Sequence, residues 1–468
     1  MTPSQPVALR MGTTSGRAVI AAAVLGSGMT WLDGSVVNVA LRTIGEDLDA
    51  SLAQLQWINN GYLVSLASLI LLGGSLGDRL GRRKVFILGT VWFASASLLC
   101  GLAPNAETLI VARLLQGVGG ALLTPGSLAM IQGAFAADDR GRAIGAWSGL
   151  GGVAAAIGPF VGGVLIDNAS WRWIFLINLP LAVATVLIAR RWVPETRDPT
   201  ASGHFDVMGA ALASLALGGI TYALIDGRGV GALWAGAAGV IAAVAFLVLE
   251  RLEPQPMMPL GLYRDRTFSA SNAMTFLVYA ALGAMSFFLV LQLQTVGGYQ
   301  ALEAGVATLP ITISMLLLAA KGGELGSRIG PRIPMTVGPL VMAVGLLLVL
   351  GVDEDVNYWL EVFPGLTVFG LGLVLMVAPL TATVLAAAPG DKAGIASGIN
   401  NAIARAGSLM AVAALPTAVG LSGSEYADPA ALDAAYPTAI LACSALLALG
   451  GVLSWLTIPS RVAEATTP

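Results

Sequence analysis

The chain has 468 residues, of which 56% are hydrophobic and only 11% charged, and its formal net charge is −3. Soluble domains average about 25% charged residues, so this chain lacks the charge to cover a water-facing surface and belongs in a bilayer. The near-neutral balance shows no nucleic-acid or polybasic signature, so no nucleic-acid partner is expected. Cys100 and Cys443 lie inside apolar runs and His204 stands alone in a polar loop, which leaves a disulfide framework, a metal site or a cofactor site without residues to start from.

In chain order, Met1–Arg17 is a polar tail. The apolar run after it is too long for the core of a signal peptide. A spanning helix needs about 20 apolar residues. Such runs fall near 18–41, 57–77, 85–103, 107–133, 143–166, 171–191, 206–226, 231–250, 267–294, 302–321, 333–352, 358–386, 393–420 and 436–458. The expectation is an all-α integral membrane protein of about fourteen transmembrane helices.

A basic glycine-rich turn, Gly73-Gly-Ser-Leu-Gly-Asp-Arg-Leu-Gly-Arg-Arg-Lys84, returns as Gly322-Gly-Glu-Leu-Gly-Ser-Arg-Ile-Gly-Pro-Arg-Ile333. The repeat pairs the second helix with the tenth, so two helices are inserted between two equivalent sets of six. Repeated halves with a site between them are the usual build of a secondary transporter. The expected division is a tail over 1–17, a six-helix bundle over 18–191, a linker with two inserted helices over 192–266, a second bundle over 267–458 and a tail over 459–468. With the N-terminus inside, Arg42, Arg172 and Arg228 fall outside, Arg113 and Arg405 fall within helices, and the remainder of the 24 Lys and Arg gather inside. Both termini are therefore expected to be cytoplasmic.

Asp33 lies inside the first helix, where an ionised carboxylate costs about 2.5–3.5 kcal/mol. It reads either as one arm of a permanent ion pair or as a group that takes and releases a proton. Burial and a neighbouring cation act on a carboxyl's proton in opposite directions, so protonation can follow conformation. Arg113, in Ala112-Arg-Leu-Leu-Gln-Gly-Val-Gly-Gly120, is the expected partner, and Gln116 shares its face. At 1.5 Å per residue, Asp33 lies about 12 Å and Arg113 about 9 Å from the same membrane side, so their depths nearly match. Arg405 is a second intramembrane cation, with Asn401 one turn before it and no carboxylate at matching depth in the second half. It reads equally as a structural tether or a ligand contact.

In the fifth helix, Gly151, Gly158, Gly162 and Gly163 permit close approach and Pro159 removes a hydrogen bond. At the basic turn, Gly74 and Gly81 permit tight geometry, and Arg79, Arg82 and Arg83 anchor the anionic leaflet. Asp78 accepts from a helix N-terminus or from a neighbouring Arg, which would latch two helices on the inner face. An adaptable cavity favours aromatic, Met and amide side chains near the midplane, making Trp31, Asn38, Tyr62, Met285, Phe288 and Met376 candidates beside Gln116, Asn401 and Arg405. Each is as readily explained by plain packing.

Together these motifs resemble the major facilitator superfamily. Gly74-x-Leu-x-Asp-Arg-x-Gly-Arg-Arg83 is similar to its loop between the second and third helices, the Arg113 segment to its fourth-helix motif, and Gly158-Pro-Phe-Val-Gly-Gly163 to its antiporter motif. Leu32-Asp-Gly-Ser-Val-Val-Asn-Val-Ala-Leu41 and Trp171-Arg-Trp-Ile-Phe-Leu-Ile-Asn-Leu-Pro180 look like signatures of its fourteen-helix drug:proton antiporters, the EmrB/QacA group. The resemblance implies proton-driven export by alternating access in the cell membrane, with Asp33 and Arg113 as the coupling pair. Asp33 is the one clear intramembrane acid, which argues against dicationic cargo and for monocationic, zwitterionic or neutral amphiphiles.

The expected function is export of hydrophobic drugs, dyes or antibiotics by a monomer whose partners are protons, a small amphiphile and lipid. A dedicated exporter of one endogenous metabolite and a non-transporting receptor are the alternatives. No phosphate loop supports a primary pump, and no paired-carboxylate or His-rich site supports an enzyme.

Overall fold

The computed structural model describes residues 9–197, 205–227, 229–389, 392–423 and 425–460. His204, Arg228 and the outer parts of both tails lie outside the described residues. Fourteen long helices occupy the described residues: α1 (Thr14–Leu48), α2 (Leu52–Leu80), α3 (Arg82–Gly101), α4 (Ala106–Ala134), α5 (Ala137–Asn168), α6 (Trp173–Trp192), α7 (Val207–Asp226), α8 (Val230–Leu252), α9 (Arg266–Thr295), α10 (Ala301–Ile329), α11 (Arg332–Leu347), α12 (Tyr358–Ala386), α13 (Ala393–Ala418) and α14 (Pro429–Thr457).

Eleven of them are long and apolar enough to cross a membrane. Helix α11 has 16 residues, whereas the sequence pattern extends to 352. Helix α13 carries Asn400, Asn401 and Arg405 in its span. Helices α5 and α13 lie where the first six helices meet the last six, and their small residues permit close helix approach there.

Local chemistry sets the helix ends. Thr13, Asn105, Asp206 and Asp265 each accept a first-turn amide, and Ser51 with Gln54 forms a reciprocal capping box. Gly81 and Gly330, at matched positions of the repeated turn, have φ of +117° and +81°, a region closed to most side chains. The first helix begins at Thr14, four residues earlier than the apolar run. The preceding residue Leu9 pairs with the α4–α5 junction through Leu9 N to Ala134 O and Ala136 N to Leu9 O.

The packing repeats with the sequence. Helix α4 packs on α2 and α3, and α1 on α5 and α6; eight helices later α12 packs on α10 and α11, and α9 on α13 and α14. Helix α8 packs on α7, and α7 leans on α2 and α13. Contacts between the first six and the last six helices run through α2 with α13, α5 with α10, and α1 with α9.

Candidate site between the helix bundles

Asp33 and Arg113 meet. Arg113 Nη1 donates to Asp33 Oδ2 at 2.5 Å, and the side chains are 0% and 1% exposed respectively. Gln116, one turn along α4, donates from Nε2 to Asp33 Oδ1 at 2.9 Å and accepts from Arg113 Nη1 at 2.6 Å. Arg113 Nε donates to Ile58 O of α2 at 3.0 Å. The guanidinium lies over the Tyr62 ring at 4.5 Å and near the Phe175 ring at 5.7 Å. Behind the pair, Ser97 Oγ of α3 accepts from Gln116 Nε2 at 2.8 Å and from Asn178 Nδ2 of α6 at 2.9 Å.

Five helices therefore supply one polar knot. Each arm is expensive to bury alone, and charge-assisted hydrogen bonds offset that cost only while both are in place. Asp33 points into the bundle, away from lipid, and is closed to solvent in this conformation. Ser97, Asn178 and Phe175 were not singled out from the sequence. An Asn and a Ser at one depth in facing helices would have been the signal.

The fifth-helix motif binds α1 and α10. A side chain at Gly151 would strike the Trp31 ring, one at Gly158 the Ser35 hydroxyl, and one at Gly162 the Val36 side chain. A side chain at Gly163 would strike the Leu302 backbone, and one at Gly305 the backbone of Pro159. Asp167, at the end of α5, accepts from Leu302 N at 2.8 Å and Ala301 N at 3.2 Å, so it caps α10. The other hydrogen bonds described between α1–α6 and α9–α14 lie toward the same end, opposite the repeated turns. Gln56 Nε2 donates to Val412 O at 2.7 Å, Gln294 Nε2 to Val39 O at 2.9 Å, and Tyr426 Oη to Ala50 O at 2.7 Å. Leu52 N donates to Gly423 O at 2.7 Å, and Arg42 donates to Gln294 O.

At the turn itself, Asp78 pairs with Arg82 of its own motif at 2.8 Å. It does not receive the first-turn amides of α3. That place is taken by Glu195, after α6, whose Oε1 accepts from Arg83 N at 3.1 Å; Arg83 Nη1 donates to Val193 O at 3.0 Å. Glu195 also packs against Gly81, Gly74 faces Pro125 of α4, and Arg79 lies 4.8 Å over the Phe205 ring. Of the two expected roles of Asp78, the structure shows the pairing with a neighbouring Arg; the part played by Glu195 was not readable, because only the fold returns the α6 end to this turn.

The candidate cavity residues divide. Met285, Phe288 and Met376 stand in the packed core at 0–2% exposure, and nothing in this packing presents them to a ligand. Trp31 stacks near Trp147 at 5.5 Å. Asn401 is exposed and donates to Ser397 O of its own helix at 3.0 Å. Asn38 Oδ1, Tyr62 Oη and Arg405 Nε are buried atoms without a hydrogen-bond partner among the described residues.

A family model described as the Major Facilitator Superfamily matches residues 23–412. The chain is 35% identical to the methylenomycin A resistance protein of Bacillus subtilis, over 95% of each chain. It is 34% identical to the tetracenomycin C resistance and export protein of Streptomyces glaucescens, over 84% of this chain and 74% of that one. A solved D-xylose-proton symporter shares the fold, with a TM-score of 0.68 at 13% identity over 96% of this chain and 99% of that one.

Proposed function

The chain belongs to the Major Facilitator Superfamily, and on that premise we propose that it is a proton-coupled exporter of hydrophobic drugs, dyes or antibiotics that works by alternating access. The observation that carries this reading is the knot around Asp33. Its carboxylate accepts from both Arg113 and Gln116, the arrangement expected of the ionised form. A proton on Asp33 cancels the attraction that ties α1 to α4. Arg113 keeps Ile58 O, Gln116 Oε1 and the faces of Tyr62 and Phe175, so its charge stays caged while α1 is released. Helix α1 is keyed to α5 at Gly151, Gly158 and Gly162, and α5 meets α10 at Gly163 and Asp167. Movement of α1 is thereby transmitted to the contacts that close the end opposite the turns.

We place the N-terminus and the repeated turns on the cytoplasmic side, following the Lys and Arg distribution. The closed end is then external and this conformation faces inward. Asp33 is closed to solvent here, so in this scheme it exchanges its proton in another conformation. The division into bundles over 18–191 and 267–458 around the inserted pair, fourteen crossings and a monomeric working unit belong to the same proposal. Asp78, Arg82, Arg83 and Glu195 act in it as the inner latch. The names of both quoted relatives include resistance to one antibiotic each. That favours, as a second reading, a pump with narrow cargo.

The test is uptake into inverted vesicles with an imposed pH gradient and a panel of compounds. Uptake should follow the gradient, vanish with a proton uncoupler and be lost in Asp33→Asn at equal membrane abundance. Gradient-driven uptake by Asp33→Asn would refute the coupling role. One accepted compound among many refused would select the narrow reading.

A further inference from the structure

Arg405 differs from every other cation placed at depth. None of the ion pairs or hydrogen bonds among the described residues uses its side chain, and its Nε is buried without a partner. The side chain is only partly exposed, although it lies in the middle of α13. Helix α13 packs on both α2 and α9, and that packing brings Tyr62 of α2 and Tyr279 of α9 to the level of Arg405.

Two fixed contacts set this register. Gln56 bonds Val412 O and Ala413 O on one side of the pair, and Leu71 fills the space at Gly398 on the other. Tyr62 lies about 9 Å along α2 from the first contact, and Arg405 about 10.5 Å along α13, so they stand level. Gly407, two residues from Arg405, lies against the Phe276 and Ala280 backbone of α9, which holds Tyr279 beside the same space. Tyr62 Oη is also buried without a partner among the described residues. The ring face of Tyr62 carries Arg113 at 4.5 Å. One phenol therefore separates the ion pair from the unpaired cation.

An enclosed guanidinium with no counter-charge is costly, and the partner it lacks is an oxygen bearing negative charge. We propose that Arg405, with the Tyr62 and Tyr279 hydroxyls, is the polar end of the cargo site, and that it takes an aromatic amphiphile bearing an anionic oxygen, a carboxylate or an acidic phenol. This rests on the exporter reading for its purpose but not for its test. It departs from the expectation of monocationic, zwitterionic or neutral cargo, which was drawn from the intramembrane acids alone.

The test is equilibrium binding of three isosteric probes to the purified full chain in lipid nanodiscs, without a proton gradient: 2-naphthoate, 2-naphthylmethanol and 2-naphthylmethylammonium. Wild type should bind 2-naphthoate at least about tenfold more tightly than the other two, as a charge-assisted hydrogen bond implies. Arg405→Gln should erase that preference and leave 2-naphthylmethanol binding unchanged, which also reports that the variant is folded. Tyr279→Phe should weaken 2-naphthoate about three- to tenfold. The proposal is overturned if wild type binds the ammonium probe as well as the carboxylate, if it binds no 2-naphthoate, or if the preference survives in Arg405→Gln. Anion binding without gradient-driven uptake would leave this site standing and sink the export reading instead.

Discussion

Arg113 and Arg405 are both guanidiniums enclosed at depth, one in each set of six helices, and they are treated in opposite ways. Arg113 has a carboxylate, an amide, a backbone carbonyl and two aromatic rings around it. Arg405 has no ion-pair or hydrogen-bond partner for its side chain among the described residues. A fully partnered charge holds structure together and is disturbed only by a proton. An unpartnered one costs stability and is retained where something must come to it. The two halves share a packing plan but differ here, with the ion pair in one and the unpartnered cation in the other.

The comparison breaks most readily at Arg113. Arg113→Ala strands the Asp33 carboxylate with only Gln116 and should cost about 3–5 kcal/mol, the usual penalty for halving a buried pair. Thermal unfolding of the purified protein would show it as a much lower Tm, and an unchanged Tm would mean that the pair contributes little. Ser97→Ala removes the shared acceptor of Gln116 and Asn178 and should cost about 1–3 kcal/mol by the same measurement. Tyr62→Phe keeps the ring on Arg113 and removes only an unpartnered hydroxyl, so Tm should move by less than the equivalent of about 0.5 kcal/mol. Arg405→Gln completes the series: with no partner to strand, it should leave Tm unchanged or raise it. A large loss of Tm in Arg405→Gln would show that this cation is structural after all.

The ion pair was legible because two quantities readable from a sequence were enough for it. Residue count along a helix sets depth, and the 3.6-residue period sets the face, so Asp33, Arg113 and Gln116 could be placed at one level before any helix crossing was known. Ser97, Asn178 and Glu195 escaped because their roles depend on which helix stands behind which. Met285, Phe288 and Met376 misled for the same reason: a large apolar side chain near the midplane looks alike whether it faces a cavity, a neighbour or lipid. The repeated turn was half legible. Its glycines read correctly as tight-turn positions, while the carboxylate that caps α3 arrives from about 110 residues away.

Composition and apolar periodicity were sufficient by themselves for a membrane-embedded helical protein, because the bilayer forces each span to satisfy its backbone internally and to declare itself in the chain; the family came from the resemblance of its motifs taken together. Which end of the bundle is closed, which carboxylate holds the turn and which cation is left without a partner were decided only by tertiary structure. Those outcomes depend on the angles and offsets at which helices cross, and a shift of one residue between neighbours moves a side chain from a partner to an empty face.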